Sequence, residues 1–366
     1  NNFSDPQGHG VADYLTSKPI DFAYSSTDSV FFSFYFQPQG NGNDPQPEDS
    51  LVLEFFDPAK FIWSHIWSVP GTPLQNFKQV MIQITNTGFL QKGFHFRFKN
   101  YATLSGNLDH WNIDYIRLAP NRNPDDTFIV DVGLIRATGS ILRDYEAIPW
   151  KHYLADTTIS LLDSMEVKIN NLDTVENNVG YKCNIKHNDS IYTFPPGTNE
   201  NNIAGQSDTI RRLFIDYTFP SDTGNNAIFE INNYISPPSK DTLQTNDTVK
   251  YFQRFYNYYA YDDGSAEAGY GLIGEGSKLA YKFNMLKPDT LRAVDMYFNQ
   301  IINDVSKEFF YLTVWTSLSP EVIVYQKKFV NPVYEDSLNK FHTYLVDEIV
   351  VLNGAFYVGW LQLADK

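Results

Sequence analysis

The chain is expected to be all-β, built as tandem β-sandwiches, and three observations point there. Period-2 alternation of apolar and polar residues runs through SVFFSFYF (29–36), KQVMIQIT (78–85), FHFRFKNY (94–101) and WNIDYIRL (111–118), placing successive side chains on opposite faces of a sheet. Aromatic residues make up 16% of the chain, and they favour pleated, half-buried surfaces. Turn formers separate the runs, as in PQGNGNDPQPED (38–49), FPPGTNENN (194–202) and SPPSKD (236–241), where Pro, Gly, Asn and Asp set turn geometry. LLDSMEVKINNL (161–172) comes nearest to a helical stripe and reads equally well as strand.

A length of 366 residues exceeds one ordinary sandwich and calls for several cores. Residues 1–120 read as a jelly-roll sandwich that ends at the polar, proline-containing linker APNRNPDD. Residues 121–252 carry the shorter runs FIVDVGLI, SMEVKINNL, VGYKCNIKH, RRLFIDYTF and AIFEINNYI, which fit an Ig-like or fibronectin-like sandwich. Residues 253–366, with KLAYKFNM, LRAVDMYFN, FFYLTVWTS, EVIVYQKKF and KFHTYLVDEIVVL, fit a second jelly-roll-like sandwich. At its entry stands YYAYDDGSAEAGYG (258–271), in which the tyrosines are expected to pack on the sandwich while DDGS turns.

A net charge of −15 leaves no Lys/Arg stripe to displace phosphate counterions, so no nucleic-acid partner is expected. The longest apolar runs, such as DEIVVL (347–352), fall short of the roughly 20 residues of a membrane helix. Asn1 is followed by neither a charged n-region nor an apolar h-region, which reads as a terminus from which any signal peptide has been removed. The strand-like ending AFYVGWLQLADK is expected to continue past Lys366. The single cysteine, Cys183, allows no internal disulfide or Cys-rich metal site and is expected to be a small buried hydrophobe. None of the seven histidines has metal-ligand spacing. Gly-x-Ser-x-Gly is absent, and GYGLIGEG (269–276) lacks the Lys-Ser/Thr of a phosphate loop.

Three kinds of site remain. Glycosidase chemistry needs two carboxylates across a cleft; Glu54, Asp114, Asp216 and Glu230 lie in or beside strands, but nothing in the sequence makes any two face each other, and the chain is expected to be non-enzymatic. Sugar rings pack on exposed indoles, and Trp63 and Trp67 of FIWSHIWSV, beside a loop, are the stacking candidates. Alternation assigns most of the remaining set, Tyr101, Trp111, Trp150, Trp315 and Trp360, to the core. Calcium takes carboxylate and carbonyl oxygens from irregular loops. The candidate ligands are Asp262, Asp263 and Glu267, or alternatively Asp44, Glu48 and Asp49, with a solvated turn as the competing reading at each. No other cofactor is expected.

One tripeptide recurs: Asp, then Ser or Thr, then an aliphatic residue, Met or Thr. It begins at Asp28, Asp49, Asp156, Asp163, Asp173, Asp189, Asp208, Asp241, Asp247, Asp289 and Asp336. An Asp that closes a turn by bonding backbone amides, followed by the first strand residue, accounts for several. The tripeptide also resembles the O-glycosylation sequon of extracytoplasmic proteins of Bacteroidota. That resemblance implies glycans on Ser29, Ser50, Thr174, Ser190, Thr209, Thr242, Thr248, Thr290 and Ser337.

More broadly, SVFFSFYFQPQGNGNDPQPEDSLVLEFF with HFRFKNYATLSGNLDHWNIDYIRL resembles the jelly-roll module of secreted or surface proteins of gliding, type IX-secreting Bacteroidota. AYDDGSAEAGYGL with AFYVGWLQ is similar to a module that often follows it. The resemblance implies an extracytoplasmic location, at the cell surface or in the periplasm, and partners among envelope or secretion-system proteins and glycans. No type IX sorting domain is visible. The expected function is non-enzymatic binding, as a surface component or a subunit of the type IX secretion and gliding apparatus. The alternatives are a carbohydrate-binding or carbohydrate-active surface protein and an architectural stalk.

Overall fold

A computed structural model describes residues 9–40, 42–104, 109–135, 139–157, 160–195, 200–215, 217–220, 224, 226–236, 241, 243–265, 269–299, 304–336 and 339–364. Among the described residues the alternating runs become strands in six sheets, antiparallel except where β9 meets β16. The protein is therefore all-β and of the sandwich class.

The first seven strands are β1 (His9–Thr16), β2 (Phe31–Pro38), β3 (Ser50–Asp57), β4 (Ile62–Pro70), β5 (Lys78–Gln83), β6 (His95–Thr103) and β7 (Trp111–Ala119). They form a sheet ordered β1-β6-β3-β4 and a second ordered β5-β2-β7. Between the sheets lie Phe32, Phe34 and Phe36 of β2, Leu51, Leu53 and Phe55 of β3, and Phe94 and Phe98. Burial of each such side chain contributes about 1.5–3 kcal/mol. The edge of the Phe34 ring meets Phe98 at 4.9 Å, an arrangement that aromatic quadrupoles favour.

Alternation places Ser33 on the face of β2 away from this core, yet Ser33 is buried. The cause is the polar stretch read as a linker, which folds back onto the sheet. Arg122, itself buried, donates from Nη1 to Ser33 Oγ at 2.8 Å and from Nε to Asp126 Oδ2 at 2.6 Å. The Tyr35 hydroxyl donates to the Thr127 carbonyl at 3.0 Å.

Next come β8 (Val132–Leu134), β9 (Ala147–Pro149), the single-turn helix α1 (Trp150–Tyr153), β10 (Ser164–Asn171), β11 (Asn177–His187), β12 (Ser190–Phe194), β13 (Glu200–Ile203), β14 (Ser207–Phe214), β15 (Ala227–Ser236) and β16 (Thr248–Tyr256). One sheet is ordered β14-β10-β8; the other is β12-β11-β15-β16-β9, with β13 also paired to β11. The ambiguous run 161–172 is thus mainly strand β10, burying Met165, Val167 and Ile169 at alternate positions. Cys183 is fully buried among Val179, Tyr181 and Ile185, and burial pushes its thiol up to about 12. Trp150 stacks on Tyr153, with ring centroids 5.2 Å apart.

The last strands are β17 (Lys278–Asn284), β18 (Asp289–Met296), β19 (Phe310–Leu318), β20 (Glu321–Val330), β21 (His342–Leu352) and β22 (Ala355–Gln362). They form a sheet ordered β17-β22-β19-β20 and the two-stranded sheet β18-β21, enclosing Leu312, Val314, Tyr344, Leu352 and Phe356. Gly359 lets β22 approach β17: a Cβ there would lie 1.8 Å from the Leu279 carbonyl oxygen, so only glycine fits.

The tyrosines of YYAYDDGS tie the second group of strands to the third. Tyr259 and Tyr261 pack on the second core, and the Tyr261 hydroxyl donates to the Lys282 carbonyl at 2.7 Å. Tyr145 crosses the same junction, with its hydroxyl donating to the Asn284 carbonyl and accepting from the Asn284 N–H. Buried His152 places Nδ1 2.7 Å from the Tyr259 hydroxyl and Nε2 3.0 Å from Asp289 Oδ2.

Candidate functional site

One irregularity in the β3–β4 ladder decides which side chains the first sheet presents. Leu53 pairs with Trp67 and Glu54 pairs with His65, so Ile66 is an inserted residue, a bulge that re-aims its strand. Before it, Trp63 and His65 lie opposite Phe56 and Glu54. After it, Trp67 and Val69 lie opposite the core residues Leu53 and Leu51. Strict alternation would keep residues 63 and 67 on one face, and the inserted residue separates them. Trp67 therefore packs inward, its ring edge-on to Phe34 at 5.2 Å and to Phe36 at 5.1 Å, which withdraws it as a stacking surface. Trp63 faces out.

Trp63 belongs to a connected aromatic and charged face. Its indole lies 5.2 Å from Phe56 and 5.0 Å, edge to face, from His95. The Arg97 guanidinium stands 4.1 Å from the Trp63 ring centroid and 4.6 Å from that of Tyr14. Tyr14 comes from β1 and Trp63 from β4, on either side of β6. Each such contact is worth about 0.5–2 kcal/mol according to its desolvation. At the rim Phe61 is 81% exposed and Tyr14 54% exposed, so apolar rings reach solvent here.

Glu54 organises the charges. Its Oε2 accepts from Arg97 Nε at 2.6 Å and its Oε1 from Lys99 Nζ at 2.9 Å. Burial raises its pKa, but the hydrogen bonds from Lys99 and Arg97 and their positive charges outweigh burial and hold the carboxyl below its ordinary range. Two cations thus share one anion, and the patch carries a local positive surplus in a chain of net charge −15. His65 Nε2 lies 3.1 Å from Ser68 Oγ farther along β4.

The other carboxylates considered for glycosidase chemistry are dispersed. Asp114, on the opposite sheet, accepts from the Tyr115 N–H at 2.7 Å. Glu230, on β15, accepts from Asn232 and Lys250 and is held below its ordinary range by those two hydrogen bonds. Asp216 lies outside the described residues.

Of the calcium candidates, Asp262 Oδ1 accepts from the Gly264 N–H at 2.7 Å, and Asp263 Oδ1 from the Ser265 N–H at 2.8 Å. Both carboxylates close their own exposed turn, and Glu267 lies outside the described residues. In the alternative set Asp44 is half-buried, Glu48 is exposed and Asp49 is buried; Asp49 accepts from the Gln46 N–H at 2.7 Å. Among the described residues no three His, Cys, Asp or Glu side chains form a group suited to a metal ion.

Turn closure by the recurrent aspartate is visible at several of the tripeptides. Asp28 accepts from the Ser25 N–H, Asp173 from the Thr174 N–H and Asp289 from the Thr290 N–H. Of the central hydroxyl residues, Thr174, Ser190 and Thr248 are exposed, and Ser29, Ser50, Thr209 and Thr290 are half-buried. Thr242 and Ser337 lie outside the described residues.

Sequence reasoning missed a carboxyl cluster where the first group of strands meets the second. Asp131, 1% exposed, accepts on Oδ2 from the Tyr115 hydroxyl at 2.5 Å and from Asn246 Nδ2 at 2.9 Å. The Asp241 carboxyl lies beside both Asp131 and Asp247. Burial first, and the neighbouring Asp241 carboxyl second, push Asp247 up to about 7; burial likewise raises Asp131. The recurrence of Asp in the tripeptides at 241 and 247 was the one available signal, because Asp131 and Tyr115 join them only through the fold.

No family model matches the chain, and no curated protein matches it. Among solved structures it is similar to a GH2 β-galacturonidase from Eisenbergiella tayi bound to glycerol, at 8% identity and a TM-score of 0.28, covering 66% of this chain and 34% of that one. It is also similar to Bacteroides uniformis β-glucuronidase 2 bound covalently to cyclophellitol-6-carboxylate aziridine, at 8% identity and a TM-score of 0.24, covering 68% of this chain and 26% of that one. A calcium-binding mutant of the same glucuronidase gives 9% identity and a TM-score of 0.25, covering 69% of this chain and 28% of that one. The chain spans at most 34% of those enzymes' length. Likeness at this level assigns neither substrate nor activity.

Proposed function

We propose that the chain is a non-enzymatic, extracytoplasmic binding protein that takes a saccharide on the outer face of the β1-β6-β3-β4 sheet. The observation that carries this reading is the contiguous platform of Tyr14, Trp63, Phe56 and His95 around Arg97, with Phe61 exposed at its rim. Sheet faces with solvent-reaching rings stack sugar C–H surfaces, and the interleaved Glu54, Lys99 and His65 supply hydrogen-bonding groups for hydroxyls. A non-enzymatic role is supported by carboxylates engaged elsewhere: Glu54 is bound to two cations and Glu230 to Lys250. The extracytoplasmic location is supported by the resemblance of the Asp-Ser/Thr tripeptides, three of which present exposed hydroxyl residues among the described residues. A glycan array followed by titration calorimetry tests the reading. Saccharide binding should be present in the native chain and reduced at least about tenfold by Trp63→Ala, and binding unaffected by that substitution would overturn the assignment to this face.

A second reading, contact with another envelope protein, is favoured by β21, which exposes Leu345 at 66%, Ile349 at 81% and Val351 at 67%. Exposed apolar rows of this kind mark interaction surfaces.

A further inference from the structure

We propose that this face selects saccharides bearing a carboxylate, with Arg97 as the residue that reads it; the inference rests on the saccharide-binding reading above. Arg97 is fixed before any ligand arrives. Glu54 holds its Nε, and the guanidinium carbon lies against the rings of Tyr14 and Trp63, so little side-chain freedom is lost on binding. Only Nε is used within the protein: among the described residues Nη1 and Nη2 donate to no acceptor. With its side chain 22% exposed, Arg97 keeps these two parallel donors for a partner. Two such donors match the two oxygens of a carboxylate, fork to fork.

Charge agrees with this geometry. Lys99 donates to Glu54 through one N–H and retains others. Arg97 and Lys99 together exceed Glu54 by one positive charge, which a singly charged sugar ring neutralises. A neutral sugar would cover the same donors and leave that charge without a counterion, at a cost in desolvation. The flanking rings of Tyr14, Trp63 and Phe61 favour a saccharide over an acidic peptide, because they present flat apolar surface beside the guanidinium for a sugar's C–H face.

The test compares three probes by titration calorimetry on the full chain: tetramannuronate, its carboxyl-reduced neutral counterpart, and tetraglutamate. The uronate should bind at least about tenfold more tightly than the neutral sugar. Arg97→Lys, which keeps the charge and loses the fork, should remove most of that preference by weakening the uronate far more than the neutral sugar. Lys99→Gln serves as the second variant and should weaken the uronate more than the neutral sugar; a native melting transition verifies folding in each. Equal affinity for the two saccharides, or a preference unchanged in Arg97→Lys, would overturn carboxylate selection while leaving saccharide binding at Trp63 intact. Tighter binding of tetraglutamate than of either saccharide would overturn the saccharide class. If neither saccharide binds, the proposed function and this inference fall together.

Discussion

Arg97 on β6 and Trp63 on β4 meet across an intervening strand, the guanidinium 4.1 Å from the indole centroid. The relationship depends on Ile66, the inserted residue that turns Trp63 outward and Trp67 inward. The two tryptophans, four residues apart, should therefore respond differently to truncation. Trp63→Ala removes a partly exposed contact and should cost about 1 kcal/mol. Trp67→Ala opens a gap against Phe34 and Phe36 and should cost about 2–4 kcal/mol. Urea unfolding of both variants measures the difference, and equal costs would contradict the inward and outward assignment.

The carboxyl cluster makes stability depend on pH with a defined sign. The Asp247 carboxyl has an ordinary value of 3.8 and is pushed up to about 7 in the folded chain, so between those values the native state holds a proton that the unfolded chain has lost. Its contribution to stability therefore falls as pH rises from about 4 to about 7 and is fully present only below that window. Asp247→Asn cannot titrate and should flatten the profile by on the order of 2 kcal/mol across the window. Thermal melts of both proteins from pH 4 to pH 8 check this, and parallel profiles would contradict it.

At the second junction the Tyr259 hydroxyl serves both His152 Nδ1 and the Leu286 N–H. Tyr259→Phe leaves both nitrogens without that partner in a place where His152 is 2% exposed. A loss of about 1–3 kcal/mol is expected, read as earlier melting and faster hydrogen exchange at Leu286. Unchanged exchange there would show that the hydroxyl is dispensable.

Cys183 should be chemically silent in the folded state. Burial pushes its thiol up to about 12, and the thiolate is the reactive form. A thiol-specific chromogenic disulfide should label the native chain at the rate of global unfolding and label the urea-unfolded chain at once. Rapid labelling of the native chain would place Cys183 nearer solvent than its packing among Val179, Tyr181 and Ile185 implies.

The fold class was legible because period-2 alternation is a local signal. In β11 it places Val179, Tyr181 and Ile185 inward together with Cys183, which was expected to be buried. The bulge was not legible: an inserted residue costs nothing in local composition and becomes visible only through the partner strand, so Trp63 and Trp67 looked equivalent. Arg122 was hidden for a related reason. APNRNPDD has the composition of a free linker, and its attachment depends on Ser33, 89 positions earlier in the chain. In the candidate site the sequence pointed to Trp63 and raised Glu54 only as a possible acid. Arg97 gave no signal of its own, since an alternating Arg in FHFRFKNY reads as an ordinary solvent-facing strand residue. The contact with Tyr14 and Trp63 joins three strands that the sequence does not pair.

Hydroxyl-radical footprinting, with mass spectrometry reading oxidation residue by residue, tests the binding face most directly. With a bound saccharide present, oxidation of Trp63 and Tyr14 should fall several-fold, while the distant exposed residues Phe214 and Tyr270 stay unchanged. If the saccharide binds and Trp63 and Tyr14 oxidise at their unliganded rates, the β1-β6-β3-β4 face is not the binding surface.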